Sequence, residues 1–211
     1  KQASQIVQRM ADDGILKQLF DIDWVQNDGP LQILDRLEGN DVIDRLVVLM
    51  RNFGSKDCER LATKLRLSGK EKKEFLFRHS KLGHIPENMD SSIRIYAAAV
   101  GIWSHQHLHI EKLFAAHDSW VSDHSEEDVQ RCIDRLNRLN VDFNVQPLAN
   151  GEYIMQQTNM AEGPALGALK AWLFYEQIAR NLQSLDDIDR LLCTLSWQTD
   201  DASRWPKLQF P

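Results

Sequence analysis

Two pairs of aspartates are spaced so that they could bind metal ions for phosphoryl transfer. Asp21 and Asp23 form the first pair, and Asp187 and Asp189 form the second. Paired carboxylates hold the two Mg²⁺ ions of many enzymes that transfer phosphoryl groups. No strand is predicted that could present the first pair, and the second lies inside a predicted helix. The aspartate pairs therefore predict no catalytic residues for two-metal phosphoryl transfer in this chain.

A cluster of histidines is the second candidate for metal chemistry. His105, His107 and His109 are spaced by two, so a helix would place His107 on the side opposite the other two. We expect surface or core histidines here and predict no metal site.

His117 and Asp118 resemble the metal-binding dyad of the HD phosphohydrolases. That fold needs a further histidine upstream and a further aspartate downstream, for which His84 and Asp186 are only nominal candidates. An HD-type phosphohydrolase, which would bind Mn, Fe or Ni, is kept as an alternative.

The cysteines indicate the compartment more than the chemistry. Cys58, Cys132 and Cys193 form no C-x-x-C motif, which excludes a zinc ribbon or a redox pair. Each falls at an apolar position of a predicted helix, so we expect three small buried side chains. An odd number of cysteines favours an intracellular, reducing compartment, which is the cytoplasm, or the mitochondrion or nucleus of a eukaryote.

Charge is distributed unevenly along the 211 residues. The chain carries −6 in total, which by itself argues against a nucleic-acid partner. Residues 51–84 hold ten Lys and Arg against four Asp and Glu, a surplus of +6, so the remainder carries −12. Such a surplus suits a polyanion, because Lys and Arg displace the counterions of a phosphate backbone. A solvated charged face is the alternative.

Candidate phosphate contacts follow from the spacing of these cations. Lys56, Arg60 and Lys64 step by four and would line one side of a helix. The next helix begins just beyond them, where its first amides could bind an anion. The contacts expected there are Ser68, Lys70 and Lys72.

The periodicity of apolar residues is helical and predicts an all-α protein, an array of short helices. Three helix starts share a Ser cap followed by an acid three residues later. These starts are Ser68 with Glu71, Ser125 with Asp128, and Ser184 with Asp187. Further helices are predicted over residues 2–19, 41–52, 55–66, 90–117 with an interruption near Gly101, and 164–181.

Residues 140–162 and 203–211 contain helix breakers and are predicted to be irregular. We therefore expect a larger helical domain over residues 1–139 and a smaller helical unit over residues 140–211. No apolar run has the length that a membrane helix needs, so no membrane partner is predicted. The chain begins at Lys1 without an initiator Met, and we expect it to be part of a longer or processed protein.

Two stretches of the sequence carry a resemblance to a known family. Arg51–Leu61 is followed by Leu65-Arg66-Leu67-Ser68-Gly69-Lys70-Glu71, and Pro147–Met155 is followed by Gly163-Pro164-Ala165-Leu166-Gly167. The first stretch resembles the body, and the second the tail, of the class II tRNA nucleotidyltransferases, which are the CCA-adding enzymes and their poly(A) polymerase relatives. The order and separation of the two stretches agree with the family, and the resemblance spans roughly residues 40–195.

The Gly-Pro-x-x-Gly stretch also has a physical interpretation of its own. Pro164 fits the first helical position, and Gly163 and Gly167 would let a phosphate approach the free amides of the first turn. Lys170 follows in the same predicted helix and completes these candidate RNA contacts. The alternative is that the glycines are needed only for packing against a neighbouring helix.

The resemblance implies a neck, body and tail that bind the acceptor arm and elbow of tRNA. The partners would be tRNA and the family's N-terminal catalytic head. The family's catalytic residues and Mg²⁺ belong to that head, so we expect no cofactor in this chain and no polymerase activity from it alone. Residues 127–131 also match Glu-Asp-x-x-Arg, the motif by which the family's neck reads CTP or ATP, although in this chain the motif follows the body. Asp128 and Arg131 are therefore candidate nucleotide-binding residues.

A different class of function is compatible with the same helical pattern. A helical protein–protein interaction or regulatory module would have no affinity for RNA. It would bind its partner through an apolar helix face.

Overall fold

The computed structural model describes residues 3–21, 28–39, 41–117 and 122–211, with the backbone alone for residues 28–30. All regular structure in these ranges is helical, which confirms the all-α prediction. The chain forms two compact units, one of Lys1–Ile85, Gln106–Gln130 and Pro211, the other of Pro86–His105 and Arg131–Phe210. The boundary expected after residue 139 falls inside the second unit. The expected boundary divides a part that resembles the neck and body of the family from a part that resembles its tail, and it stays a prediction.

The α-helices are α1 (Ala3–Asp12), α2 (Ile15–Phe20), α3 (Asp28–Arg36), α4 (Val42–Leu49), α5 (Ser55–Lys64), α6 (Gly69–Lys81), α7 (Asp90–Val100), α8 (Ser104–Ala115), α9 (Glu126–Leu139), α10 (Gly151–Thr158), α11 (Pro164–Arg180) and α12 (Leu185–Thr194). Short 3₁₀ turns lie at Gly101–Trp103 and Ala202–Arg204. In the described ranges, no helix is both long and apolar enough to cross a membrane.

The predicted Ser caps are confirmed at α6, α9 and α12. At each start the serine Oγ accepts the N–H of the acidic residue three positions later, and the acid accepts the serine N–H in return. This reciprocal pairing satisfies two first-turn amides that would otherwise lack a partner. The interruption near Gly101 is confirmed too, because this residue has a φ of +72° and α7 ends before it.

Two predictions about secondary structure were wrong, and one helix was missed. The helix expected over residues 2–19 breaks at Gly14, whose φ of +69° separates α1 from α2. Residues 140–162 are not wholly irregular, because Asn150 caps α10 by accepting the Tyr153 N–H at 2.8 Å. Helix α3 was not predicted.

One prediction about burial was also wrong. Cys193 is exposed because it lies across α12 from the buried Ile188. Cys58 and Cys132 are buried as predicted.

In the first unit, a buried arginine pairs with a buried glutamate at the end of α6. Arg51 donates two hydrogen bonds to Glu111, of 2.7 and 2.9 Å, and its guanidinium lies 4.0 Å from the centre of the Phe114 ring. The same carboxylate accepts the Gly83 N–H at 2.9 Å. Removing one partner of such a pair leaves an unpaired buried charge and costs about 3–5 kcal/mol.

A second arginine of this unit joins α6 to α4. Arg78 bonds Asp41 at 2.9 Å, Asp44 at 2.7 Å, and Glu74 on its own helix. Asp41 is also the N-cap of α4, so this network fixes the start of one helix against the middle of another.

In the second unit, α11 packs against α7 and α10. Gln177 is the one polar residue on its buried face, and its side chain donates to the Gln146 carbonyl and accepts the Leu148 N–H, both at 2.9 Å. The amide therefore fixes the segment that leads into α10. The buried residues of α11 are Leu166, Leu169, Trp172, Leu173, Gln177 and Ile178.

The buried imidazole of His107 should make the protein less stable in acid. Burial lowers the pKa of His107 to about 4 from the ordinary 6.5, against the opposing effect of Glu111. Between these values the unfolded chain binds a proton that the folded protein excludes, so the free energy of unfolding falls as the pH drops through this window. The loss at pH 4 amounts to about 3 kcal/mol.

Urea denaturation between pH 7.5 and pH 4 measures this loss. The His107→Gln variant should lack it, because glutamine can still donate to the Lys81 carbonyl that His107 contacts at 3.0 Å. The control is His105→Gln at an exposed histidine, which should keep it. An unchanged pH dependence in His107→Gln would contradict a buried neutral imidazole.

Candidate nucleic-acid interface

Helix α5 separates its charged residues from its apolar ones. Lys56, Arg60 and Lys64 are exposed on one side, as the spacing predicts. Cys58 and Leu61 are buried on the other side and hold the helix on the first unit. The three cations therefore project from a face that the core does not use.

Arg60 is less available than its exposure suggests. It donates to the Asp21 carbonyl at 2.7 Å, and its guanidinium lies 3.8 Å from the carboxylates of Asp21 and Asp57. Lys56 and Lys64 have no such partner among the described residues. The two lysines are therefore the stronger phosphate candidates on α5.

Part of the +6 of residues 51–84 is not at the surface. The Arg51 and Arg78 side chains are only 8% and 11% exposed and are neutralised by the carboxylates described above. Lys81 is half-buried against the Phe77 ring, and burial lowers its pKa. Six cations remain without a partner in the described part of the chain, and we call them the basic surface. They are Lys56, Lys64, Arg66, Lys70, Lys72 and Lys73.

The chain reverses between α5 and α6 within residues 65–68. The Leu67 N–H bonds the Ala62 carbonyl at 3.0 Å and the Arg66 N–H bonds the Thr63 carbonyl at 3.1 Å, the paired hydrogen bonds of a Schellman helix end. Ser68 then caps α6. Two motifs in succession fix the backbone that carries the cations on either side of the reversal.

Ser68 itself has a structural role in this turn. Its Oγ accepts the Glu71 N–H at 3.3 Å, and its own N–H donates to the Glu71 carboxylate at 2.8 Å. Hydrogen bonds from the side chain and the backbone of Ser68 to the Glu71 carboxylate hold the pKa of Glu71 below its usual value. Because a carboxylate already occupies the first turn of α6, the lysines Lys70 and Lys72, and not the backbone amides, are the groups that can meet a phosphate there.

Sequence reasoning missed Arg66 as a site residue. It has a φ of +55° at a helix end where glycine is usual, because a side chain in this left-handed conformation is strained. Its side chain is exposed and has no partner among the described residues. Once α5 is known to end at Lys64, Arg66 falls at the position of a Schellman motif that glycine usually occupies. The absence of glycine at that position is the signal that could have identified Arg66.

The start of α11 carries the second set of candidates. Gly163, Gly167 and Lys170 are exposed on one face, whereas Leu166 and Leu169 are buried. A Cβ added at either glycine would have no heavy atom within 4 Å. The packing explanation of these glycines therefore fails in the described part of the chain.

The first turn of α11 is also open to an anion. Pro164 occupies the first helical position, no side chain caps the helix, and no acidic residue lies in its first turn. The N–H groups of Ala165 and Leu166 have no partner among the described residues. This start differs from that of α6, where Glu71 occupies the equivalent place.

The candidate nucleotide-binding residues are not brought into a site. Asp128 bonds the hydroxyl and the N–H of Ser125 and has the capping role predicted from the sequence. Arg131 is exposed on the polar face of α9, as predicted. Neither side chain lines any of the four cavities considered among the described residues.

The aspartate pairs have structural partners. Asp21 faces Arg60, and Asp23 lies outside the described residues. Asp187 caps α12, and Asp189 accepts the Tyr153 hydroxyl at 2.7 Å. The carboxylates that the structure describes therefore take part in local contacts.

The histidines likewise have ordinary partners. His117 bonds the Gln32 side chain at 2.9 Å, whereas Asp118 lies outside the described residues. His84 and Asp186 are exposed. Across the described ranges, no group of three or more His, Cys, Asp and Glu could hold a metal ion.

Replacing Arg66 with glycine should stabilise the protein. Glycine adopts the left-handed conformation without steric cost, so the free energy of unfolding should rise by about 1 kcal/mol. Urea denaturation checks it, with Arg66→Lys as the control that keeps the strain. A free energy of unfolding in Arg66→Gly that is equal to or below that of the wild type would show that this turn is not strained.

Comparisons of this chain with protein-family models, with curated proteins and with solved structures found no match.

Proposed function

We propose that this chain is the tRNA-binding C-terminal part of a CTP/ATP-dependent tRNA nucleotidyltransferase and positions the 3′ end of tRNA for CCA addition. The observation that carries the proposal is the basic surface. Its six cations lack partners among the described residues and flank the α5–α6 reversal. Its members from Lys56 to Lys70 lie in the stretch that resembles the body of that family.

The chemistry of the basic surface suits a phosphate backbone more than a base. Exposed lysines release condensed counterions when they meet phosphates, which supplies affinity without sequence preference. Contacts with the backbone set the position of a nucleic acid, whereas base contacts specify its sequence. A protein that acts on many tRNAs needs the first kind, because its substrates share shape and not sequence.

Helix α11 supplies a second contact of a different kind. Its exposed glycines leave room for a phosphate at the N–H groups of Ala165 and Leu166, and Lys170 extends the same face. Glycine in the first turns of a helix costs about 0.5–1 kcal/mol relative to alanine. No contact within the described residues offsets this cost at Gly167, so close approach of a ligand is the remaining physical reason for it.

On this proposal, nucleotidyl transfer and Mg²⁺ binding belong to the family's head and not to the residues described. The head would complete the enzyme, and tRNA would bridge it to the basic surface.

A protein–protein interaction module is the second candidate, and one feature favours it. A cavity of about 180 Å³ in the first unit is lined only by apolar side chains from α1, α2, α4 and α5 and the residues that follow them. Leu19 and Leu65 nearby are also exposed. On this alternative the chain would bind no tRNA, and a partner's apolar side chains would cover the cavity.

Charge reversal on the basic surface should weaken tRNA binding and flatten its salt dependence. For Lys64→Glu/Lys70→Glu, we expect the slope of log affinity against log salt to become less steep by about 2, because each lost phosphate contact removes roughly 0.9. Filter binding to tRNA at several salt concentrations measures both quantities.

The control is Arg9→Glu/Lys207→Glu, which makes the same change in net charge at exposed positions that do not belong to the basic surface and should bind nearly as the wild type does. Equal weakening in both variants would show that net charge alone matters. Wild-type binding that ignores salt would reject the basic surface as the interface.

Substitutions at Gly167 should separate stability from binding. Gly167→Ala should raise the free energy of unfolding by about 0.5–1 kcal/mol, because the added methyl meets nothing and alanine favours the helix. The same variant should bind tRNA more weakly, and Gly167→Gln more weakly still, because each side chain keeps the backbone away from the phosphate. Wild-type affinity in both stable variants would remove α11 from the interface.

A further inference from the structure

A cleft in the second unit has no place in the contacts proposed so far. It encloses about 350 Å³ between α7 and the C-terminal ends of α9 and α11. We propose that this cleft receives one unstacked guanine base of a bound RNA. The inference rests on the proposed function, because it names a subsite for the same ligand.

The walls of the cleft suit a flat heterocycle. Ala98, Leu139, Val141, Ile178 and Leu182 contribute apolar surface on several sides. Pockets that hold small ligands commonly enclose about 300–1,000 Å³ and combine apolar walls with a few polar groups. An unstacked base is a ligand of this kind, and single-stranded RNA is recognised by burying such bases.

One wall carries an arginine with unused hydrogen-bonding capacity. The guanidinium of Arg94 contacts only the Ala179 carbonyl among the described residues, at a long 3.4 Å. A guanidinium has five N–H donors, so most of them are free to meet a ligand. The Arg94 side chain is half-buried and lines the cleft, so its free N–H groups can reach acceptor atoms of a base.

The lining also includes the exposed residue Asp142, which supplies a carboxylate. One oxygen of Asp142 accepts the Asn144 N–H at 2.8 Å, and the second oxygen has no partner among the described residues. Asp142 and Arg94 form no ion pair with each other, so neither charge is neutralised by the other. The cleft therefore presents separate donor and acceptor groups to whatever enters it.

The ends of two helices make the cleft unfavourable for a phosphate. Asn140 and Asn181 follow α9 and α11 in left-handed conformations, with φ of +44° and +56°, and both residues line the cleft. Helix C-termini carry partial negative charge, and Asp142 adds a full one. These negative groups offset the positive charge of Arg94, so the cleft favours the N–H edge of a neutral base over an anion.

Guanine matches this distribution of groups. Its O6 and N7 atoms accept from arginine, which is the commonest specific contact to that base. Its N1–H and amino group donate along one edge, and a carboxylate can accept both. Adenine, cytosine and uracil do not present this combination of two acceptors and two adjacent donors.

The experiment uses free nucleosides first, because they carry no phosphate. Amide NMR titration of the chain with guanosine should shift residues of the cleft, including Asn140 and Asn181, and adenosine, cytidine and uridine should bind more weakly. Asp142→Asn should weaken guanosine binding about tenfold, because one bidentate contact is worth roughly 1–3 kcal/mol. Asp186→Asn, at an exposed aspartate of the same unit, is the matched control and should bind as the wild type does.

A second arm compares tRNA with a blunt RNA duplex of similar length. Asp142→Asn should lose affinity for tRNA and keep its affinity for the duplex, since the duplex offers no unstacked base. Binding of tRNA without guanosine-dependent shifts in the cleft would overturn this inference alone. Absence of binding to either RNA would overturn the proposed function, and the RNA subsite with it.

Discussion

The reversal of the chain between α5 and α6 is the constraint on which the candidate interface depends. A Schellman end and a capping box follow one another within four residues, so the backbone between Lys64 and Lys70 has little freedom. The left-handed Arg66 lies at the centre of this reversal and its conformation is unfavourable for arginine. Strain of this kind is retained where the surrounding structure fixes it, and functional sites are where it concentrates.

Buried ion pairs decide which part of the positive charge reaches the surface. Arg51 and Arg78 belong to the basic segment by sequence, but carboxylates from α4 and α8, with Glu74 on α6, neutralise them in the interior. Their energetic role is to order the first unit, because a buried charge without its partner is costly. What remains for a ligand is the smaller set of lysines and Arg66. The charge of the segment therefore overstates the number of cations that are free at the surface.

Sequence patterns predicted the features that depend on residues close together in the sequence. They missed the features that depend on packing between distant parts of the chain. Caps at Ser68, Ser125 and Ser184 need only a hydroxyl and an acid three residues apart, and each is present. The neutralisation of Arg51 by Glu111 joins residues 60 positions apart, which no local pattern shows. The cleft lined by Arg94 and Asp142 likewise forms only where α7, α9 and α11 come together, which no local pattern shows. The glycines at the start of α11 were recognisable from the sequence. Only the structure shows the open space around them, which argues against packing as the reason for glycine there.

Hydrogen–deuterium exchange of the chain with and without tRNA tests the central claim most directly. The account predicts that saturating tRNA at low salt slows amide exchange in residues 64–73 and that high salt removes this protection, because the contact is with phosphates. Exchange in that segment that stays the same while tRNA is bound would contradict the assignment of the basic surface as the interface.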